Sequence, residues 1–364
     1  MKSNLRLNFI DNLRAFAILM MLQGHFISGV LDPIDNDPNN SLYQFWLYCR
    51  GFTAPVFFTI TGWIFTFLLL QNNKKGNKNP RIKKGLKRAF ELILWGYVLR
   101  LNIPMLLHGE LNRAFIFPDV LQIIGFSLLF IIIIYFLFNR LKNWTGGVFF
   151  VSALCLFILE PRYSEMVFTE LPLFLAAYLT KANQGVFYLF PWVGYVFFGA
   201  SMAYLFHNKT KRLRRWAIGY LVVGIWLIFG SSTFLMTLEA WSGNAIFRQV
   251  AYNNYLFIRL GDVCVLFGIF MFLEQFTTSR FWSNVGRKTL EIYIVHYFLF
   301  YGSLTGIGFY KYYKNSLSFN QSVLAALLFI ASCLILVYGY QRNKSTIYGY
   351  LTHKLTLWRQ NIWR

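Results

Sequence analysis

The stretch Leu7–Leu31, LNFIDNLRAFAILMMLQGHFISGVL, decides the fold class. It is long and apolar enough to cross a bilayer, which takes about 20 residues at a rise of about 1.5 Å each. It nevertheless carries Asp11, Arg14 and His25. Ionisable side chains at membrane depth are unfavourable and gather on faces turned away from lipid. At about 100° per residue, Arg14 to His25 turns about 1100°, close to three full turns, and Asp11 to His25 comes within about 40° of four turns. All three therefore share one stripe, with Arg14 about 16 Å from His25 along a straight axis. We expect that stripe to face the interior of a helix bundle. An interfacial Asp–Arg pair beside a separately satisfied core histidine is the plainer alternative.

Composition agrees with a membrane setting. Of 364 residues, 57% are hydrophobic and only 13% charged, where soluble domains run near 25% charged. No polar stretch is long enough for a separate soluble domain. Cys49, Cys155, Cys264 and Cys333 are scattered and show neither metal-ligand spacing nor a disulfide framework, so no metal is expected. The first apolar run is too long, and too polar on one face, for a cleavable signal peptide.

Working outward, ten spans are expected: 7–31, 46–70, 89–107, 119–139, 145–159, 186–206, 217–235, 255–275, 288–303 and 321–339. Residues 160–185 contain LPLFLAAYLT, a half-apolar re-entrant or surface helix. The net charge of +21 is distributed by loop rather than by surface. Alternate loops are basic, most strongly 72–88 and 207–216, while acidic residues gather on the other side, as in LDPIDNDPNN (31–40). That is the positive-inside pattern, with both termini cytoplasmic and basic loops on anionic lipid rather than nucleic acid. The expected architecture is an all-α polytopic membrane protein. Residues 1–340 form one transmembrane domain and 341–364 a basic, aromatic surface tail.

Several residues stand out against this background. The segment 48–65 holds Arg50 at about the depth of His25, with Gly51, Pro55 and Gly62 permitting close backbone approach. Lys84, Lys87 and Arg88 stand at the cytoplasmic mouth of the third span, where they suit phosphate groups or simply solvent. Arg100 lies about 18 Å deeper. Asp119 and Gln122 are a turn apart at the start of the fourth span, as helix cap or as site. Arg259 and Asp262 are spaced to pair with each other, and His296 lies inside the span at 288–303. Phosphate loops, HExxH and GxSxG do not occur in the sequence, which leaves kinase, metalloprotease and serine-hydrolase chemistry unsupported.

FIDNLRAFAILMMLQGHF (9–26) resembles the opening of the transmembrane acyltransferase superfamily, and Arg14 and His25 match the R-x10-H motif of acyltransferase family 3. NVGRKTLEIYIVHYF (284–298) is similar to that family's late G-x-x-S/T-L-x-I-Y-x-x-H segment. APVFFTITGWIF (54–65), PDVLQIIGFSLL (118–129) and FPWVGYVFFGASMAYL (190–205) are similar to a sister group, the heparan-alpha-glucosaminide N-acetyltransferase-like proteins. The R-x-x-R of family 3 is not reproduced; RIKKGLKR (81–88) offers Lys84, Lys87 and Arg88.

The resemblance implies acyl transfer across a membrane. Acyl-CoA, most simply acetyl-CoA, is supplied from the cytoplasm to a hydroxyl or amine of an extracytoplasmic glycan or glycolipid. It assigns His25 as general base, with Asp11 and Arg14 beneath it. Lys84, Lys87, Arg88 and Arg100 are assigned to the acyl-CoA. Arg50, Asp119, Gln122, Arg259, Asp262 and His296 would line the site, with Arg50 or Arg100 as oxyanion donors. A bacterial-type plasma membrane and a lipid environment fit this assignment, and a homodimer is compatible with it. The competing expectation is a transporter or flippase that uses the charged stripe as an ion or proton relay.

Overall fold

The computed structural model describes residues 7–72, 78–138, 144–185, 187–207, 212–275 and 279–362. Among them there is no strand, only the isolated bridges Leu31–Leu317 and Asn102–Leu304. The chain begins with α1 (Asn8–Val30), whose first backbone N–H groups are received by the Glu274 carboxylate, at 2.9 Å for Asn8. Next come α2 (Ser41–Gly51) and α3 (Thr53–Leu70). The span expected at 46–70 thus starts earlier and is broken at Phe52. The Pro55 ring would collide with the Gly51 carbonyl four residues back in a continuous helix.

The helix α4 (Pro80–Val98) departs most from the expected 89–107. Asn79 caps it, accepting from the Arg81 N–H at 3.0 Å, and Pro80 occupies the first helical position. This pairing favours a helix start because proline needs no donor there. The basic segment 81–88 is therefore the first part of the helix rather than a loop. At the other end Pro104 has no N–H to offer and would clash with the Arg100 carbonyl, so the chain breaks and restarts as the short α5 (Ile103–Leu107).

Then follow α6 (Val120–Phe138), α7 (Thr145–Ile158), α8 (Glu160–Tyr163) and α9 (Leu173–Leu179). The half-apolar segment is thus two helices too short to cross a bilayer. After α10 (Leu189–His207) come α11 (Leu213–Ser242), α12 (Ala245–Tyr252) and α13 (Tyr255–Phe272). The chain closes with α14 (Arg280–Arg287), α15 (Thr289–Tyr301), α16 (Phe309–Tyr313) and α17 (Phe319–Ile362). The boundary expected at 340 falls inside α17, which runs through it unbroken.

Among the described residues, seven segments are long and apolar enough to cross a membrane. Of the three other expected spans, α7 has 14 residues, α15 has 13, and α4 opens on its basic turns. The helices make an all-α polytopic membrane protein. One of its closest helix contacts is the crossing of α3 and α10. A Cβ added to Gly62 would lie 1.9 Å from the Val196 carbonyl oxygen, and one on Gly199 2.0 Å from that of Thr59. Such mutual small-residue contact lets backbones approach and pack by dispersion where lipid supplies no hydrophobic drive. α1 is buried against α3, α14, α15 and α17; Phe9, Leu13, Ile18 and Leu22 have no exposed surface.

Candidate active site

Two helices carry the site on matching stripes. On α1 the stripe Arg14, Ile18, Met21, His25 follows steps of four, three and four; on α15 it is Thr289, Tyr293, His296/Tyr297 and Tyr301. Both spacings keep one face of a helix turned to its neighbour. The two run side by side in the same direction. At one end the Arg14 guanidinium (Nη2) donates to Thr289 Oγ1 at 2.8 Å. At the other, His25 Nδ1 and the Tyr301 hydroxyl are hydrogen-bonded at 3.0 Å. Between them His296 lies with its ring centroid 5.6 Å from that of His25.

Two cavities adjoin this pair of helices. One, about 390 Å³, is lined by His25, Arg100, Asn102, Asp119, Tyr297 and Tyr301 among others. The second, about 230 Å³, is lined by Arg14, Arg88 and Thr289 and by apolar side chains including Ile18, Met21, Ile60, Leu92 and Ile124. A single polar layer separates them. Tyr293 lines the Arg14 cavity while its hydroxyl donates to Asp119 Oδ2 at 3.2 Å, and Asp119 lines the His25 cavity.

Asp119 is the hub of that layer. Its Oδ2 receives the Arg100 guanidinium at 3.2 Å and the hydroxyls of Tyr293 and Tyr297. Its Oδ1 accepts from the Val120 N–H at 2.8 Å, while Gln122 Oε1 accepts from Asp119's own N–H at 3.0 Å. The Gln122 bond back to the Asp119 N–H is one half of a capping box at the start of α6, while Asp119 Oδ1 takes the first helical N–H, of Val120, instead of that of Gln122. Cap and site are therefore not alternatives: one carboxylate oxygen caps and the other anchors the layer. Arg100 is further engaged, since its Nη1 also donates to the carbonyls of Ala114 and Phe117 at 2.8 and 2.7 Å. A largely buried ion pair is favourable when additional hydrogen bonds satisfy its lone pairs and protons, and here two carbonyls and two tyrosine hydroxyls supply them.

The other residues singled out by sequence distribute as follows. Asp11 lies at the Arg14 end of α1, where it accepts from Ser283 Oγ at 3.3 Å and Gly286 packs on its carbonyl. Arg88 lines the Arg14 cavity and pairs with Glu91 at 3.1 Å; Lys84 and Lys87 are exposed on the preceding turns of α4. Arg100 stands apart from these three, in the His25 cavity. A helix that winds from 80 to 98 carries its basic turns to one end and Arg100 to the other.

Arg50 is exposed, with its stem on Gly24 beside His25 and its guanidinium 5.9 Å from the Trp46 ring centroid. Arg259 and Asp262 pair at 3.0 Å and clamp α2: Arg259 donates to the Tyr48 carbonyl at 3.0 Å and Tyr48 Oη to Asp262 at 2.6 Å. His296 is 0% exposed, and among the described residues neither ring nitrogen is hydrogen-bonded to another side chain. Among the described residues no three His, Cys, Asp or Glu side chains converge as a metal-binding group.

Sequence reasoning missed Tyr293, Tyr297 and Tyr301. Their four-residue spacing was the available signal, but an aromatic stripe on an apolar helix reads as packing until an acceptor such as Asp119 is known to face it.

The sequence model of the family described as "Heparan-alpha-glucosaminide N-acetyltransferase, catalytic" matches residues 6–238. No curated protein matches the chain. The matched region contains α1, α3, α4 and α6; α15, with its three tyrosines and His296, lies beyond it.

Proposed function

Because the chain belongs to the heparan-alpha-glucosaminide N-acetyltransferase catalytic family, we propose that it transfers an acetyl group from acetyl-CoA to an amine or hydroxyl of a sugar or glycolipid. The donor enters from the cytoplasmic side through the Arg14 cavity and the acceptor reaches the His25 cavity from the opposite face. The positive-inside pattern sets this orientation and suits a bacterial-type plasma membrane. The observation that carries the proposal is the pair of cavities meeting across one polar layer, with His25 at the end remote from the basic turns of α4.

Each residue has a chemical task in this reading. Lys84, Lys87, Arg88 and Arg14 offer cations to the phosphates of the donor, and the apolar wall of Ile18, Met21 and Ile124 accepts its flexible arm. His25 takes the proton of the acceptor as its nitrogen or oxygen attacks the thioester carbonyl. The new C–N or C–O bond forms, the C–S bond breaks, and the thiolate is reprotonated to CoA. General-base assistance of this type contributes about 10²–10⁴-fold. Arg50 is the better oxyanion donor of the two arginines, because Arg100 is engaged by Asp119 and two carbonyls. Arg100 and Asp119 position the layer instead.

The test is release of CoA from acetyl-CoA by purified protein in nanodiscs, with and without amino- and hydroxy-sugars, for wild type and His25→Ala. Acceptor-dependent release that disappears in a folded His25→Ala supports the proposal. Movement of a sugar across the membrane without any CoA release would overturn it in favour of transport.

A further inference from the structure

His25 can serve as a base only through a nitrogen that carries no proton. Neutral imidazole holds one N–H, and the partner of one nitrogen decides which nitrogen holds it. Among the described residues, the side-chain hydrogen bond of His25 is to the Tyr301 hydroxyl, 3.0 Å from Nδ1. A phenol either donates or accepts, so two arrangements satisfy the same distance. If Tyr301 donates, Nδ1 is the bare nitrogen, already occupied, and Nε2 carries hydrogen. If Tyr301 accepts, Nδ1 carries the hydrogen and Nε2 is bare.

Resting on the acetyltransferase reading above, we propose that Tyr301 is the positioning residue of His25: its hydroxyl oxygen accepts Nδ1–H and so presents an unprotonated Nε2 to the acceptor. The argument is one of preorganisation. When His25 takes a proton it becomes an imidazolium with two N–H groups, and Nδ1 must then donate. A Tyr301 oxygen that already accepts needs no rearrangement as the proton arrives, whereas a donating hydroxyl would have to rotate away during the reaction. Fixed dipoles that need no reorganisation are the ones that lower barriers most.

The setting holds Tyr301 where the task requires. Its ring packs against Tyr297, Phe300 and Tyr310 at centroid distances of 4.9, 4.8 and 5.8 Å. Both Tyr301 and His25 line the same cavity. The helix ends one residue later at Gly302, whose φ of +68° is left-handed backbone that glycine accepts without penalty. That cap fixes the last turn of α15, and with it the height of Tyr301 beside His25.

The experiment reads the tautomer directly. Protein labelled with 15N-histidine is reconstituted in lipid, and the ring-nitrogen shifts of His25 are measured by solid-state NMR, assigned as the signals absent from His25→Gln. In wild type the Nδ1–H form is expected. Tyr301→Phe keeps the ring and removes only the hydroxyl. It should shift His25 towards the Nε2–H form and lower kcat by about tenfold or more, as losing a residue that orients a histidine commonly does. KM for acetyl-CoA should stay within about twofold, because the Arg14 cavity is untouched.

An Nε2–H form in wild type, or a tautomer unchanged by Tyr301→Phe together with wild-type kcat, would overturn the proposal. Failure of the underlying activity looks different: wild type itself would then release no CoA from acetyl-CoA with any acceptor, whatever the tautomer. Thermal unfolding of Tyr301→Phe at the wild-type temperature separates loss of the hydroxyl from loss of fold.

Discussion

The two cavities differ in how their polar groups are held. Around His25, Arg100, Asp119, Tyr293 and Tyr297 are tied into one network in which a single carboxylate oxygen receives three donors. Around Arg14 the wall is almost wholly apolar, and charge appears only at its end, on Arg14 and on Arg88, whose pair with Glu91 is about 40% exposed. A cavity that hosts bond making needs groups fixed before the substrate arrives, because reorganisation at the moment of reaction raises the barrier. A cavity that only admits a long flexible arm needs width, apolar contact and a charged mouth. Under the proposed acetyltransferase reading, the contrast favours chemistry on one side of the polar layer and delivery on the other.

The sharpest way to break this contrast is His25→Ala. Acetyl transfer should fall by about 10²–10⁴-fold, while acetyl-CoA still raises the unfolding temperature of the variant. Loss of both together would show that the cavities are not separable in function.

The next effect falls on stability. Asp119→Leu strands the Arg100 guanidinium in a buried place, and removing one partner of such a pair costs about 3–5 kcal/mol. The double variant Arg100→Met/Asp119→Leu should recover part of that loss. It will not recover all of it, since two tyrosine hydroxyls then lack their acceptor, at about 1–3 kcal/mol each. Denaturant unfolding in detergent micelles measures the cycle; strictly additive losses would dissolve the layer as a unit.

On the delivery side, Ile124→Trp fills part of the 230 Å³ cavity. It should raise KM for acetyl-CoA about tenfold, equivalent to about 1.4 kcal/mol of binding, with kcat nearly unchanged. A drop in kcat at unchanged KM would move the donor out of this cavity. The smallest effect is expected from Arg88→Ala. Its partly exposed ion pair contributes no more than about 1 kcal/mol to stability. KM for acetyl-CoA should rise a few-fold, by a factor that shrinks as salt is added, since exposed charges more than about 10 Å apart are screened at 0.1 M. A salt-independent change would point to packing instead of phosphate attraction.

Much of the architecture was legible in sequence because it depends on nearest neighbours along the chain. The stripe on α1 follows from the period of a single helix, and the helices expected at 119–139 and 145–159 occur at Val120–Phe138 and Thr145–Ile158. The Arg259–Asp262 pair was also legible, as two opposite charges three residues apart in a helix. The errors were local too. Asn79 and Pro80 form a helix-start signature that should have moved α4 back into the basic segment, and Pro104 marks its other limit. Gly62 was correctly singled out for close approach, but its partner, the Val196 carbonyl, lies 134 positions away and only packing could supply it.

The site itself divides along the same line. Sequence alone determined that the chain is a bundle of apolar helices, that α1 carries an arginine and a histidine on one face, and which acyltransferase relatives it resembles. These are consequences of composition and helical period, which operate within a few turns. Tertiary structure alone decided that Arg100 leaves the basic cluster for Asp119, that three tyrosines of α15 become polar partners rather than packing, and that a wall divides two cavities. Each of those outcomes depends on groups 19 or more residues apart meeting at hydrogen-bond distance. No periodicity encodes such a meeting, because whether a hydroxyl or guanidinium is buried with a partner is a property of the opposing surface and not of its own helix.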